Sequence, residues 1–285
     1  MSFRKRLSAG EFVVLAEMNT PKGVNISKMV LDSRRIKGRV DAVIIPDMDN
    51  GVMKMSALAG GVLMQQQGME AIIHVYGRDR NSLALQGDLL AAHVLGIQNL
   101  IVVHSEDMAV GDHRDAQPVN ELDEPGLLAA IRTLQEGNDM AGFELDGRPD
   151  FTTGCTLASF KDSELDLAEK KVAAGAGFIV TPPVFDIDTF STFMEKAQKL
   201  NVPVIPTVFL IKSVAIARYI ATSEPDANLS EDLIKRIRKA SDREMEGIKI
   251  AGETVAALRG MAHGVRIQTL GWEHRLGAIL DTAGL

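Results

Sequence analysis

The sequence predicts an α/β fold: a single (β/α)8 TIM barrel spanning residues 1–285, with an insertion after the fourth strand. Three observations predict it. Short, almost unbroken Val/Ile/Leu runs recur along the chain, the composition of strands buried on both faces of a parallel sheet. Longer amphipathic segments alternate with them, and about eight such strand–helix units close a barrel. The rival, an open doubly wound sheet, normally carries a G-x-G-x-x-G turn after its first strand, and "EMNTPKGVN" has none.

The strand candidates, in order, are "FVVLAEM" (12–18), "DAVIIP" (41–46), "EAIIHVY" (70–76), "NLIVVH" (99–104), "DFTTGCTL" (150–157), "GFIVTPP" (177–183), "VPVIPTVFLI" (202–211) and "GVRIQTL" (264–270). Helices are expected over 55–68 and 81–96, each ending on a glycine, the latter opening on an Asn cap. Further helices are expected over 163–176, 188–200 and 213–223, and two more within 230–260, where an acidic start and basic middle suit the helix dipole. The segment 105–149 is polar, Gly-rich and long enough to be functional rather than a tight connection.

Composition narrows the partners. A net charge of −7 and a pI near 5.4 argue against a nucleic-acid footprint, which needs a basic face. No run of roughly 18 uncharged apolar residues is present, so no membrane span is expected. The N-terminal apolar run is interrupted by Glu17 too early for a signal peptide, and a single cysteine, Cys155, excludes an internal disulfide. A cytoplasmic location is expected.

A barrel builds its site where strands end and βα loops begin. Those positions carry Glu17, Asp47, His74, His104 with Glu106 and Asp107, Thr156, Thr181, Lys212, and Trp272–Glu273–His274. Glu17 stands at the apolar end of the first strand, where desolvation would raise its pKa and suit it to donate a proton; the bland alternative is an ordinary polar strand terminus. His74 is either a satisfied core residue or a ligand-facing one. Lys212 suggests a Schiff-base nucleophile or, more simply, an anion contact. No metal is expected. No H-x-x-x-H or C-x-x-C partner exists to complete a ligand set around His104 and Glu106.

"EAIIHVYGRDRNSLALQGDLLAAHVLGIQNLIVV", "GDHRDAQPVNELD" and "EKKVAAGAGFIVTPPVFD", in this order, resemble the methylenetetrahydrofolate reductase family, most closely its short bacterial members. The resemblance runs from about Phe12 to the C-terminus. It implies a ping-pong reaction in which FAD carries a hydride from NADH or NADPH to 5,10-methylenetetrahydrofolate, giving 5-methyltetrahydrofolate. It makes Glu17 the general acid that helps open the substrate ring at N10. It assigns "HSED" (His104, Ser105, Glu106, Asp107) to the place of the family's R-G-D or T-G-D at the flavin edge, with Glu106 the equivalent of the aspartate and Asp107 the fallback. His74 becomes a flavin contact, Lys171 a ligand of the FAD phosphates assisted by Lys170, and Thr181, Pro182 and Lys212 part of the folate subsite. The implied assembly is a homo-oligomer or a subunit of a one-carbon enzyme complex.

Three departures stand out. The family's folate-binding Gln is Pro182, an FAD-binding Asn is Leu167, and a barrel-mouth Arg is Trp272 with Arg275 close by. A reductase of another reduced pterin, or a non-catalytic paralogue, is the alternative these leave open.

Overall fold

The computed structural model describes residues 1–104, 108–223 and 225–285. Eight parallel strands close on themselves in sequential order: β1 Val13–Glu17, β2 Ala42–Ile45, β3 Ala71–Val75, β4 Asn99–Val102, β5 Thr152–Thr156, β6 Phe178–Pro183, β7 Val204–Phe209 and β8 Gly264–Gln268. The expected (β/α)8 barrel is the observed one. The ring is sealed by β1 against β8, with Leu15 opposite Arg266 and Ala16 opposite Ile267.

The helices are α1 Phe3–Ser8, α2 Ser27–Ile36, α3 Ala57–Gln66, α4 Ser82–Val94, α5 Glu124–Glu136, α6 Asp162–Ala174, α7 Ile187–Ala197, α8 Val214–Ser223, α9 Glu231–Lys239, α10 Arg243–Leu258 and α11 Leu276–Ala283. Alternation along each strand sorts two layers. Val14, Ala16, Val43, Ile45, Leu100, Val102, Ile179 and Val265 pack outward against the helices. Val13, Leu15, Ala42, Ile44, Ile72, Ile101, Phe178, Val180 and Ile205 fill the barrel interior. Its floor is closed by α1, whose Phe3 meets Phe178 edge-on at 5.3 Å. Gly154 makes room for that ring, because a Cβ there would lie 2.4 Å from Phe178.

The 105–149 segment is not the expected insertion after the fourth strand: it contains α5, the helix that connects β4 to β5. Leu127, Leu128, Ile131 and Leu134 give it a buried stripe, Asp123 caps its N-terminus and Gly137 ends it with φ 97°. Helices α1, α2 and α11 also go beyond the sequence expectation.

Candidate active site at the barrel mouth

Glu17 is the last residue of β1 and shares the interior face with Val13 and Leu15. It is 2% exposed. The expectation of a lone, desolvated acid needs correction: Arg266 and Gln268 of β8 both point at it. The Arg266 guanidinium donates to Oε2, and Gln268 Nε2 donates to Oε1 at 3.1 Å. Burying a carboxylate without partners is costly, and the neighbouring strand supplies a cation and an amide to offset it. Neither Arg266 nor Gln268 was singled out in the sequence. The signal was there: in "VRIQ" two polar residues alternate with Val265 and Ile267, which face the helices.

His74 lies between Ile72 and Tyr76 on the interior face of β3. It is 5% exposed, and neither ring nitrogen has a hydrogen-bond partner among the described residues. Its Nδ1 stands 3.7 Å from Asp49 Oδ1, and that same oxygen accepts from the Tyr76 hydroxyl at 2.8 Å. Burial alone would push the Asp49 carboxyl up. His74, Tyr76 and Lys54 outweigh it and hold the group at about 2. Beside this cluster Arg78, 2% exposed, grips Asp79 and the Met48 carbonyl and lies 5.1 Å from the Tyr76 ring centre.

On the β4–β5 side the site is a chain of charges. His104 is 66% exposed and its Nδ1 meets Glu124 Oε1 at 3.0 Å. Glu124, the first residue of α5, pairs through Oε2 with Lys171 of α6. Lys171 Nζ also donates to the Thr156 carbonyl at the tip of β5, at 2.8 Å. Burial pushes the Glu124 carboxyl up, but His104 and Lys171 together bring it below the ordinary value. Lys171 is 1% exposed, whereas Lys170 is exposed, so the two lysines do not form one cationic cradle. Ser105, Glu106 and Asp107 lie outside the described residues.

The remaining candidates sit around the β6–β8 rim. The β6–β7 register shifts between Val180 and Pro183, a bulge that contains Thr181 and Pro182. Thr181 is buried with its hydroxyl on the Pro182 carbonyl at 2.9 Å, and its own carbonyl accepts from the Thr207 hydroxyl at 2.6 Å. Lys212 Nζ donates to the Leu270 carbonyl and lies 4.9 Å from the Trp272 ring centre. Burial and Lys28 lower its pKa against an opposing pull from Glu273. Asp47 caps α3 through Ala57 N at 2.9 Å and pairs with Arg80 at 3.0 Å, a structural use that leaves it out of the mouth chemistry. Glu273, 3% exposed, accepts from Gly271 N and Lys28.

The sequence matches the methylenetetrahydrofolate reductase family over residues 2–284. The chain belongs to that family. It is thereby a relative of an oxidoreductase, as the resemblance of its sequence blocks implied. Solved structures share the fold at low identity. EDTA monooxygenase (EmoA) from Chelativorans sp. BNC1 is 9% identical, covering 96% of this chain and 94% of that one, with a TM-score of 0.59. DmoA from Hyphomicrobium sulfonivorans is 8% identical over 95% and 86%, at 0.55. Tryptophan synthase from M. tuberculosis is 13% identical over 99% and 96%, at 0.53. At such identities the likeness is one of architecture alone, and function must be argued from the site. Among the described residues, no helix is long and apolar enough to cross a membrane, and no group of three His, Cys, Asp or Glu is placed to hold a metal ion.

Proposed function

We propose that the chain is a flavin-dependent reductase that converts 5,10-methylenetetrahydrofolate to 5-methyltetrahydrofolate with NADH or NADPH as donor. Family membership supports the reaction class, and the observation that carries the reading is Glu17, a buried carboxylate at the tip of the first strand inside the barrel mouth. A bound flavin would supply the hydride chemistry.

The residues present fit such a group at its ring. Nε2 of the buried His74 imidazole and Nε of Arg266 are polar atoms without a hydrogen-bond partner among the described residues, and burial makes each a demand for one. They would hold the polar edge of an isoalloxazine. The fit at the phosphates is weaker, since Lys171 is already committed to Glu124 and Thr156.

Glu17 donates the proton that opens the substrate ring at N10. Arg266 and Gln268 are both donors, so they hold the carboxyl as an acceptor. The acceptor form has no proton to give, so Glu17 must take one up from water as the arriving substrate amine displaces the guanidinium, and it then passes that proton to N10. Arg266 thus positions the acid between turnovers and keeps its burial tolerable. Lys212, half-buried beside Trp272, offers a cation to the folate carboxylates rather than a covalent nucleophile, because its amine is bound to a carbonyl and a ring face. Pro182 supplies no side-chain hydrogen bond to a pterin, which favours, as a second reading, a different reduced pterin as substrate.

Glu17→Gln tests the assignment in two half-reactions followed by flavin absorbance. Bleaching by NAD(P)H is expected to change less than about threefold, while recolouring by methylenetetrahydrofolate falls about 10²–10⁴-fold, the usual worth of a positioned acid. Equal losses in both halves would make Glu17 a structural residue.

A further inference from the structure

We propose that Glu124 is a specificity-determining residue of the barrel mouth, which neutralises Lys171 and so weakens the hold on any ligand that must set a phosphate at the β5 tip. For FAD the inference rests on the flavin reading above; for a diphosphate as such it does not.

The geometry is a graded plug. Lys171 is 1% exposed, Glu124 13% and His104 66%, and the three are bonded in that order from the interior outward. Among the described residues the ammonium has two partners, the Thr156 carbonyl and the Glu124 carboxylate. Without Glu124 it would present a full positive charge, backed by one carbonyl, at the end of β5. With Glu124 the pair is neutral, and an incoming phosphate meets a carboxylate first. Displacing that carboxylate is opposed twice. Glu124 stands at the start of a 13-residue helix, where the dipole favours an anion, and Pro125 fixes the backbone of the first turn. His104 holds its outer oxygen.

If the pair were merely structural, removing the charge would cost stability and leave phosphate affinity unchanged. The two roles separate on one substitution. Glu124→Gln keeps length and a carbonyl acceptor for Lys171 but removes the charge.

The test is calorimetric titration of wild type, Glu124→Gln and Glu124→Gln/Lys171→Gln with FAD, riboflavin and ADP. FAD and ADP carry the diphosphate, and riboflavin carries only the ring. On Glu124→Gln, FAD and ADP are expected to bind at least about tenfold tighter and riboflavin within about twofold of wild type. The gain should vanish in the double variant. Unchanged FAD and ADP affinity, or an equal gain for riboflavin, overturns the proposal. If neither protein takes up FAD or riboflavin while ADP still prefers Glu124→Gln, the flavin reading fails and the assignment of Glu124 stands. Circular dichroism confirms folding, and Glu124→Asp, which keeps a carboxylate but draws it back from Lys171 by one methylene, replaces the Gln variant if that one does not fold, with a smaller gain for FAD and ADP over riboflavin expected and no gain overturning the proposal.

Discussion

At the scale of single residues, the mouth of this barrel is a set of buried charges that each require a named partner. Glu17 was legible in the sequence because a carboxylate interrupts an apolar run. Its partners were not, since Arg266 and Gln268 enter from the opposite end of the chain and meet it only when β8 closes on β1. Asp49 and Glu124 were hidden for a related reason. Each sits in polar sequence, and its importance comes from what folding brings against it. Asp49 makes this measurable. Its carboxyl falls from an ordinary 3.8 to about 2, the lift from burial being outweighed by His74, Tyr76 and Lys54. Because the folded state holds the lower pKa, the stabilisation is complete above about pH 4 and is lost as the pH falls through about 2. Urea unfolding at pH 5 and pH 3 should show wild type losing on the order of 1 kcal/mol more than Asp49→Asn over that interval. An identical loss in both proteins would mean that Asp49 takes no part in the acid sensitivity.

At the scale of elements, the strands were placed well because burial on both faces writes an apolar run directly into the sequence. Helices were legible where caps and apolar periodicity coincide, as in α4 with its Asn81 cap. Helix α2 escaped because its buried face includes Asp32 and Ser33. Asp32 is held by Lys28 and Arg35, so polar burial masks the period. Helix α5 escaped because polar flanks made the whole segment resemble one long loop. The bulge in β6 had a visible sign in the consecutive Pro182 and Pro183, neither of which can donate a backbone hydrogen bond. Its consequence for the site is a rim with little to offer a pterin: the Thr181 hydroxyl and carbonyl are both engaged, and Pro182 has no side-chain donor. Pro182→Gln is therefore expected to tighten methylenetetrahydrofolate about tenfold, the lower range for one regained hydrogen bond to a buried ligand atom. Unchanged or weaker binding in an equilibrium titration would point to another pterin.

At the scale of the whole molecule, closure is the property that governs stability. A barrel has no edge strand at which pairing could fray, so each strand is held on both sides, β5 by β4 and β6. Cys155, in the middle of β5, turns this into a probe. It is fully buried on the outer face of the barrel wall. Burial pushes its thiol up to about 12, with Glu124 adding to the rise and Lys171 opposing it. At pH 8 the native thiol is thus both inaccessible and protonated, and alkylation must wait for an opening that separates β5 from its neighbours and α5 and α6 from the wall. In a closed ring that opening is global unfolding. The free energy from thiol-exchange rates at pH 8 should then equal the value from urea denaturation at the same pH, to within about 1 kcal/mol. Labelling that is faster than this, with a free energy well below the global one, would show that β5 opens locally and that the barrel wall next to the Glu124–Lys171 pair is a separate, weaker unit.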